Sequence, residues 1–205
     1  MTIIDLTHTV TNRMPVFPGD RVPRLSEYRD RRREIVHYRI EASMHTGTHI
    51  DGPLHMIPNG RKLSEIDISR FVANGHLIDA RGSTALDISL LDGHTIAPGD
   101  CVLLYAGWHE KFRTPDFYAD YPCITEELAH ALVERKIAFI GIDTPSPDVA
   151  PYNIHRILLQ KEILIIECMN NLSRLLGAKE FEVIALPPKF CSDSAPVRVL
   201  AKIQK

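Results

Sequence analysis

The sequence predicts one α/β domain over residues 1–205, in which a mixed β-sheet is flanked by a few helices, with an α+β arrangement of the same elements as the alternative. Three observations support this prediction. A chain of 205 residues with 44% hydrophobic content can bury a substantial core and suits one compact domain. Short apolar segments alternate with turn-forming residues, and helical patterns are few. No internal repeat or low-complexity linker interrupts the chain.

Eight segments have the apolar or β-branched character of strands. They are Ile3–Leu6, Ile35–Ala42, His76–Asp79, Cys101–Tyr105, Ala138–Ile142, Ile163–Ile166, Glu182–Leu186 and Val197–Ile203. A helix is predicted to begin near Thr125, a capping residue type, with Glu126 and Glu127 in the first turn, where acidic side chains are favoured. A second short helix is predicted from Asn171 to Leu176, and Gly177 suits its left-handed end.

The charge distribution gives no reason to expect a nucleic acid partner. The 24 basic and 26 acidic residues give a net charge of −2 and are spread along the chain. The most basic stretch, Arg29 to Arg33, is interrupted by Asp30 and is expected to be a solvated turn or an exposed strand end. No apolar run approaches the roughly 18 residues that span a bilayer, and the N-terminus lacks the pattern of a secretion signal. We therefore expect a cytoplasmic protein without a membrane partner.

Several classes of chemistry lack their sequence signals. The four cysteines are widely spaced without a C-x-x-C pair, so neither a disulfide framework nor a zinc finger is indicated. The G-x-S-x-G motif of serine hydrolases does not occur. Glycine-rich phosphate-binding loops are also missing, so nucleotide chemistry is not expected.

The segment from 45 to 55 carries the clearest chemical signal. It reads HTGTHIDGPLH and places three histidines and one aspartate in eleven positions. Imidazole and carboxylate are ligands that zinc and similar divalent ions prefer. Glycine, proline and β-branched residues oppose a helix here, and on a straight strand His45 and His49 would be about 13 Å apart, too far to share an ion. We therefore predict that the chain bends near Gly47 and brings His45 and His49 onto one ion, with Asp51 pointing the same way.

This segment resembles the signature of the cyclase-like metal-dependent hydrolases, which include bacterial kynurenine formamidases and isatin hydrolases. Their signature, H-x-G-T-H-x-D-x-P-x-H, is matched at every fixed position from His45 to His55. Further matching segments are Asp5-Leu6-Thr7, Pro15-Val16-Phe17-Pro18-Gly19-Asp20, Pro98-Gly99-Asp100 with Leu103-Leu104, and Gly141-Ile142-Asp143-Thr144-Pro145-Ser146. The resemblance implies a swivelling β/β/α-like fold, a small-molecule substrate and a homodimer or homotetramer.

The resemblance also implies roles for individual residues. His45, His49 and Asp51 correspond to the metal ligands of the signature, and His55 corresponds to the catalytic histidine. In members with two ions, a later histidine and glutamate hold the second ion while the aspartate bridges. The matching candidates here are His155 and Glu167. One or two Zn²⁺ ions are expected, with Mn²⁺ as the alternative.

Glu167 is also a candidate without the resemblance. It follows the aliphatic run Ile163–Ile166, and a carboxylate at the end of a buried strand is costly unless it is paired or metal-bound. A glutamate that reaches solvent or an arginine is the alternative. For His155, the alternative is a helix-start histidine that faces water. Asp143 is expected to form hydrogen bonds within the turn at 144–146.

A divalent ion in this cluster would support hydrolysis. Such an ion lowers the pKa of water from ~15.7 toward ~7 and polarises a carbonyl group. His55 could then carry a proton from the attacking water to the leaving nitrogen. Phe17, Trp108 and Tyr105 are aromatic candidates for the wall of a substrate pocket, although aromatic residues are more often in the core.

The resemblance implies hydrolysis of an aryl formamide such as N-formyl-kynurenine to kynurenine and formate, a step of tryptophan catabolism. One alternative is a hydrolase of another cyclic amide or ester, such as isatin or a lactone. Another is a non-catalytic protein that keeps the fold and the metal.

Overall fold

A mixed β-sheet forms the centre of the protein. The computed structural model describes residues 1–30 and 32–203, and within these residues thirteen strands and two α-helices are present. The strands are β1 (Thr2–Asp5), β2 (Arg24–Asp30), β3 (Ile35–Glu41), β4 (His49–Asp51), β5 (Val72–Asp79), β6 (Ala85–Leu86), β7 (Cys101–Tyr105), β8 (Cys123–Ile124), β9 (Phe139–Ile142), β10 (Leu164–Glu167), β11 (Phe181–Leu186), β12 (Ser194–Pro196) and β13 (Arg198–Ile203). The helices are α1 (Glu126–Glu134) and α2 (Asn153–Leu159).

The main sheet has the strand order β1-β13-β11-β5-β7-β9-β10-β4-β12. Strands β5, β7, β9 and β10 pair in parallel, and the other neighbours in the sheet pair antiparallel. All residues of β7, β9 and β10 are buried, as expected for parallel strands that are covered on both faces. The prediction of an α/β fold with a mixed sheet is confirmed.

Hydrophobic side chains cover both faces of the central strands. On one face, Leu128 of α1 and Leu158 of α2 belong to the same buried cluster as Ile140 of β9. On the other face, Phe139 packs in a second cluster with Ile166 of β10. Neighbouring residues of one strand thus point to opposite layers. This arrangement holds the end of β10, and therefore Glu167, in a fixed position.

The predicted elements agree closely with the observed ones. Each of the eight predicted strands overlaps an observed strand, and Cys101–Tyr105 matches its bounds. The helix after Thr125 is present, and Thr125 Oγ1 accepts a hydrogen bond from the backbone N–H of Leu128. The segment predicted as a second helix forms only a short 3-10 turn over Leu172–Leu175. Helix α2 was considered only in the alternative interpretation of His155 as a helix-start residue, because its seven residues are too few for a clear periodic pattern.

Strands β2 and β3 form a hairpin outside the main sheet. Every residue of β3 is exposed. The basic stretch lies at the tip of this hairpin, where Arg29 ends the exposed part of β2 and Arg33 lies in the turn. This position agrees with the predicted exposure of the basic stretch. Arg31 lies outside the described residues. Across residues 1–30 and 32–203, none of the helices has the length and apolar character needed to cross a membrane.

Candidate metal centre

A bend at Gly47 begins the candidate site. Gly47 has a φ of 64°, in the left-handed region that glycine adopts without steric cost. A Cβ atom at this position would lie 2.7 Å from the Met14 side chain. The bend brings the ring centroids of His45 and His49 to 5.0 Å from each other. The predicted bend is therefore present, and it places the two histidines side by side.

Strand pairing brings Glu167 to the same place as His49 and Asp51. In β4, His49 lies opposite Glu167 of β10, and Asp51 lies opposite Ser194 of β12. Helix α2 adds His155, whose Nε2 is 3.3 Å from Glu167 Oε1. The side chain of His155 is buried, so the alternative in which it faces water is wrong.

The carboxylate of Asp51 lies between the histidines. Its Oδ1 is 3.1 Å from His45 Nδ1 and 3.6 Å from His49 Nε2. Its Oδ2 is 3.9 Å from His155 Nε2. Candidate ligand atoms of His45, His49 and Asp51 all lie within 4.8 Å of one another, and the same holds for Asp51, His55 and His155. Asp51 is thus common to two groups that could each hold an ion.

The polar atoms at the centre of this cluster lack hydrogen bonds. Asp51 is 0% exposed, and both of its carboxylate oxygens are buried without a hydrogen-bond partner. His49 Nε2 is also buried without a hydrogen-bond partner. The short approach of His45 Nδ1 to Asp51 does not have hydrogen-bond geometry. A buried carboxylate without partners is costly, whereas a divalent ion between these nitrogen and oxygen donors would satisfy them. The residues therefore fit a divalent metal ion.

Hydrogen bonds on the outer side of the rings orient two of the histidines. His49 Nδ1 is 2.8 Å from the carbonyl oxygen of Gly47, so it must donate, and in the neutral ring Nε2 carries the lone pair. His155 Nδ1 donates to the Asp148 carboxylate at 2.6 Å, so in the neutral ring the lone pair is on Nε2, which lies 3.3 Å from Glu167 Oε1. Asp148 also accepts a hydrogen bond from the backbone N–H of Ile154 at the start of α2. Such outer partners fix the ring that binds a metal.

The electrostatics of the cluster favour positive charge. Burial alone would lower the pKa of His45, but the hydrogen bond to Asp193 and the nearby negative charges of Asp51 and Glu167 raise it to about 10. Burial likewise opposes protonation of His155, but Asp148 and Glu167 raise its pKa to about 10. Burial would raise the pKa of Asp51, yet the nearby histidines His49 and His45 hold it well below its usual range. The carboxylates thus remain charged and attract either protons or a metal cation to the rings.

His55 lies at the edge of the cluster. It ends the short 3-10 turn Pro53–His55, and its ring is partly exposed. The ring centroid is 4.3 Å from that of His45 and 5.7 Å from that of His155. Its Nδ1 is 3.3 Å from Asp193 Oδ2. His55 is therefore beside the candidate metal ligands but less buried than His49 or His155.

A cavity of about 240 Å³ opens over the cluster. All six predicted histidine, aspartate and glutamate residues line it, namely His45, His49, Asp51, His55, His155 and Glu167. Phe17 forms part of the wall, and its ring meets the ring of Tyr118 edge to face at 5.8 Å. The cavity thus combines an aromatic wall with a polar floor, as small-molecule sites often do.

Two aromatic candidates from the sequence lie elsewhere. Trp108 does not line this cavity in the described part of the chain, because its Nε1 donates to the carbonyl of Phe117 and its ring packs against a small cluster around Met14. Tyr105 is buried in the core. The expectation that Trp108 lies in the wall of the substrate pocket is therefore corrected. Tyr118 contributes to this wall instead, and its short 3-10 turn gave no signal in the sequence.

Asp143 also has partners that differ from the expectation. Its carboxylate accepts hydrogen bonds from the backbone N–H of Ala106 and from the ring of His109, at 2.8 and 3.0 Å. It was expected to bond within its own turn. Asp143 is fully buried and joins the end of β9 to the segment after β7, which keeps the cavity wall at Pro145 in place.

The comparisons with known proteins decide the family. The family model with the description "Putative cyclase" matches residues 4–149, which include the whole segment from His45 to His55. The chain belongs to the Cyclase family. Kynurenine formamidase from Bacillus cytotoxicus is 28% identical to this Cyclase-family chain, over 97% of the chain and 96% of that protein. The kynurenine formamidase of Bacillus thuringiensis is 29% identical with the same coverage.

Solved structures share the fold of this Cyclase-family chain over nearly its whole length. Isatin hydrolase A from Labrenzia aggregata, bound to benzyl benzoate, superposes with a TM-score of 0.87 at 29% identity, covering 100% of this chain and 94% of that one. A protein described as a predicted metal-dependent hydrolase from Bacillus stearothermophilus has a TM-score of 0.81 at 26% identity, covering 98% and 97%. The family resemblance seen in the signature is confirmed.

Proposed function

We propose that this chain is a metal-dependent hydrolase that cleaves the C–N bond of an aryl formamide such as N-formyl-kynurenine. One observation carries the proposal: Asp51 is a fully buried carboxylate without hydrogen bonds, surrounded by imidazole nitrogens at the floor of a cavity. The kynurenine formamidases that are 28% and 29% identical support this substrate class.

The donor set suggests how ions would be shared. His45, His49 and Asp51 would hold one divalent ion, and His155 and Glu167 together with Asp51 would hold a second. Nitrogen and oxygen donors suit Zn²⁺, with Mn²⁺ as the alternative. When bound, the ion supplies Lewis-acid polarisation of the carbonyl and lowers the pKa of water. Phe17 and Tyr118 would hold the aromatic ring of the substrate against the cavity wall.

His55 would move the proton that the reaction requires. Water adds to the formyl carbon, the C–N bond breaks with its electron pair leaving on nitrogen, and the products are an amine and formate. An unprotonated amine anion is a poor leaving group, so a proton must reach the nitrogen as the bond breaks. His55 can take this proton from the attacking water and then give it to the nitrogen, because a nitrogen of the imidazole ring can both accept and donate a proton.

A cyclic amide is the second candidate substrate. The solved isatin hydrolase A has a TM-score of 0.87 and is 29% identical, so the same cluster could open the ring amide of isatin. A lactone would use the same chemistry on an ester bond. A non-catalytic protein that keeps the metal is the remaining alternative, and His55 at the cavity wall argues against it.

The function is tested with protein loaded with zinc or manganese and assayed on N-formyl-kynurenine, formanilide, isatin and a lactone. We expect release of formate and an amine from the two formamides. Hydrolysis of isatin or the lactone alone would change the substrate class. If bound metal is present and none of these compounds is hydrolysed, the catalytic proposal is wrong.

We also propose that the chain forms a homodimer or homotetramer. Alternate residues of β3 share a face, and Tyr38 and Ile40 are 65% and 59% exposed. A lone two-stranded hairpin is marginally stable in water, and its exposed apolar side chains suit an interface. Sedimentation velocity measures the mass, and Ile40→Glu is expected to shift it toward the monomer. The cytoplasmic location and the lack of nucleic acid and membrane partners remain predictions.

A further inference from the structure

Asp193, which has no signal in the sequence, lies against the cluster. It directly precedes β12, and Ser194 is the cross-strand partner of Asp51. The backbone carbonyl of Asp193 accepts a hydrogen bond of 2.8 Å from the N–H of Gly52. The carbonyl of the preceding residue, Ser192, accepts another of 3.0 Å from the N–H of Leu63. The main chain therefore fixes where the Asp193 side chain begins.

One oxygen of Asp193 contacts two histidines. Its Oδ2 is 3.3 Å from His55 Nδ1 and 3.1 Å from His45 Nε2. The side chain of Asp193 is 35% exposed, so it lies at the edge of the cluster and outside its buried centre. Ser194 Oγ also contacts His45 Nε2, at 2.9 Å, but has no hydrogen bond to His55. Asp193 is therefore the residue that connects His55 to the ring of a candidate metal ligand.

We propose that Asp193 is the positioning residue of His55, holding its Nδ1–H so that Nε2 is the atom that exchanges protons with the substrate. A carboxylate accepts and does not donate, so the nitrogen that faces it must carry the proton. The other ring nitrogen then carries the lone pair on a ring that lines the cavity. A carboxylate that holds a catalytic imidazole in one tautomer is a general device for proton transfer. This inference rests on the proposed function.

The same oxygen, Asp193 Oδ2, also orients the ring of His45. With Nε2–H directed to Asp193 and Ser194, His45 presents its Nδ1 lone pair to the side of Asp51, where the distance is 3.1 Å. Asp193 would thus fix the tautomers of a metal ligand and of the proton carrier together. The competing interpretation is that Asp193, His45 and His55 themselves hold a cation, since their candidate ligand atoms lie within 4.8 Å of one another. The number of bound ions separates the two interpretations.

The test compares two substrates that differ in their leaving group. Formanilide releases an amine that must be protonated, whereas 4-nitrophenyl formate releases a phenolate that leaves without a proton. At saturating zinc, Asp193→Ala is expected to lower kcat for formanilide by about 10²-fold and to leave KM nearly unchanged. Its kcat for the ester should stay within about threefold of wild type. Ser194→Ala, the matched control, keeps the Asp193 to His55 contact and should leave the ratio of the two activities unchanged.

Two further readouts do not depend on turnover. The zinc content of Asp193→Ala should equal that of wild type at saturation. Long-range ¹H–¹⁵N NMR of the zinc-loaded protein, assigned with His55→Gln, should show the Nδ1–H tautomer of His55 in wild type and a mixture in Asp193→Ala. Asp193→Asn keeps the size of the side chain and is used if Asp193→Ala does not fold. It should show the same selective loss of formanilide hydrolysis to a smaller extent.

The outcomes separate this inference from the proposed function. If wild type hydrolyses neither compound, the proposed function fails, and the tautomer measurement still tests Asp193. If wild type is active but Asp193→Ala slows both substrates equally, or leaves formanilide hydrolysis unchanged, Asp193 does not position His55. Loss of one zinc ion from Asp193→Ala at saturation would make Asp193 a ligand and overturn the proposal.

Discussion

Glu167 of β10 and His49 of β4 are cross-strand partners, and Glu167 Oε2 lies 3.2 Å from His49 Nε2. Two candidate ligands from distant parts of the sequence are therefore placed by the register of one strand pair. Asp51 is two residues after His49 and points to the same face of the short strand. Because His49, Asp51 and Glu167 lie on paired strands, the hydrogen bonds of the sheet fix their backbone positions relative to one another.

Glu167→Gln tests whether a second ion is present. The change keeps the size of the side chain but removes a negative charge that faces His49 and His155. We expect the metal content to fall by one ion per chain, while the ion held by His45, His49 and Asp51 remains. Elemental analysis measures this. Glu162→Gln, at an exposed ion pair with Arg61, is the control. Unchanged metal content in Glu167→Gln would remove this residue from the ligand set.

His55→Ala separates proton transfer from metal binding. His55 is not among the three side chains proposed for the first ion, so the metal content should stay equal to that of wild type. The rate of amide hydrolysis should fall by about 10²-fold, because the leaving nitrogen loses its proton donor. Metal analysis and steady-state kinetics on the same preparation check both statements. Loss of the ion together with activity would move His55 into the ligand set.

Gly47→Ala tests the bend. An L-residue at a φ of 64° costs about 1–2 kcal/mol, and the added Cβ would also meet Met14 at 2.7 Å. Gly82 has a φ of 80° with no heavy atom within 4 Å of an added Cβ, so Gly82→Ala has the backbone cost alone. Urea denaturation should show a larger loss of unfolding free energy for Gly47→Ala. Only Gly47→Ala should also weaken zinc binding, and equal zinc affinities would separate the bend from the metal centre.

His8 should make the free energy of unfolding depend on pH. Burial, together with the nearby His109 and Arg113, lowers the pKa of His8 from 6.5 to about 4. Between these values the unfolded chain binds a proton that the folded protein resists, so stability is full above pH 6.5 and falls as the pH drops toward 4. After allowance for solvent screening of the partly exposed ring, the loss is about 1–2 kcal/mol.

The measurement is urea denaturation in chelator at pH 7 and pH 4. His8→Phe keeps an aromatic ring to stack on Phe112 and should lose less stability over this range than wild type. His37→Phe is the control, because His37 is an exposed histidine that also stacks on an aromatic ring. An equal loss in wild type and His8→Phe would show that other groups cause the acid sensitivity.

The sequence predicted the parts of the site that depend on local pattern. His45, His49, Asp51 and His55 lie in one segment, and its glycines and β-branched residues indicated a bend. Glu167 was indicated by the buried strand that precedes it. The eight predicted strands were recognised for the same reason, since their apolar residues sit between turn signals.

The rest depends on contacts that no local pattern encodes. His155 was found only through the family resemblance, because α2 is too short for its periodicity to show. Asp148 and Asp193 are ordinary polar residues in loops until the fold brings them to His155 and His55. Trp108 was placed in the pocket from its residue type, whereas its indole N–H has a partner at Phe117.

The central claim is that the buried carboxylate of Asp51 holds a divalent ion together with His45 and His49. The most direct measurement is zinc binding by wild type and by Asp51→Asn, monitored by calorimetry. Circular dichroism checks that both proteins are folded. The account predicts at least one tightly bound ion in wild type and none in Asp51→Asn, which keeps the shape but not the charge. Equal zinc binding by the two proteins would contradict it.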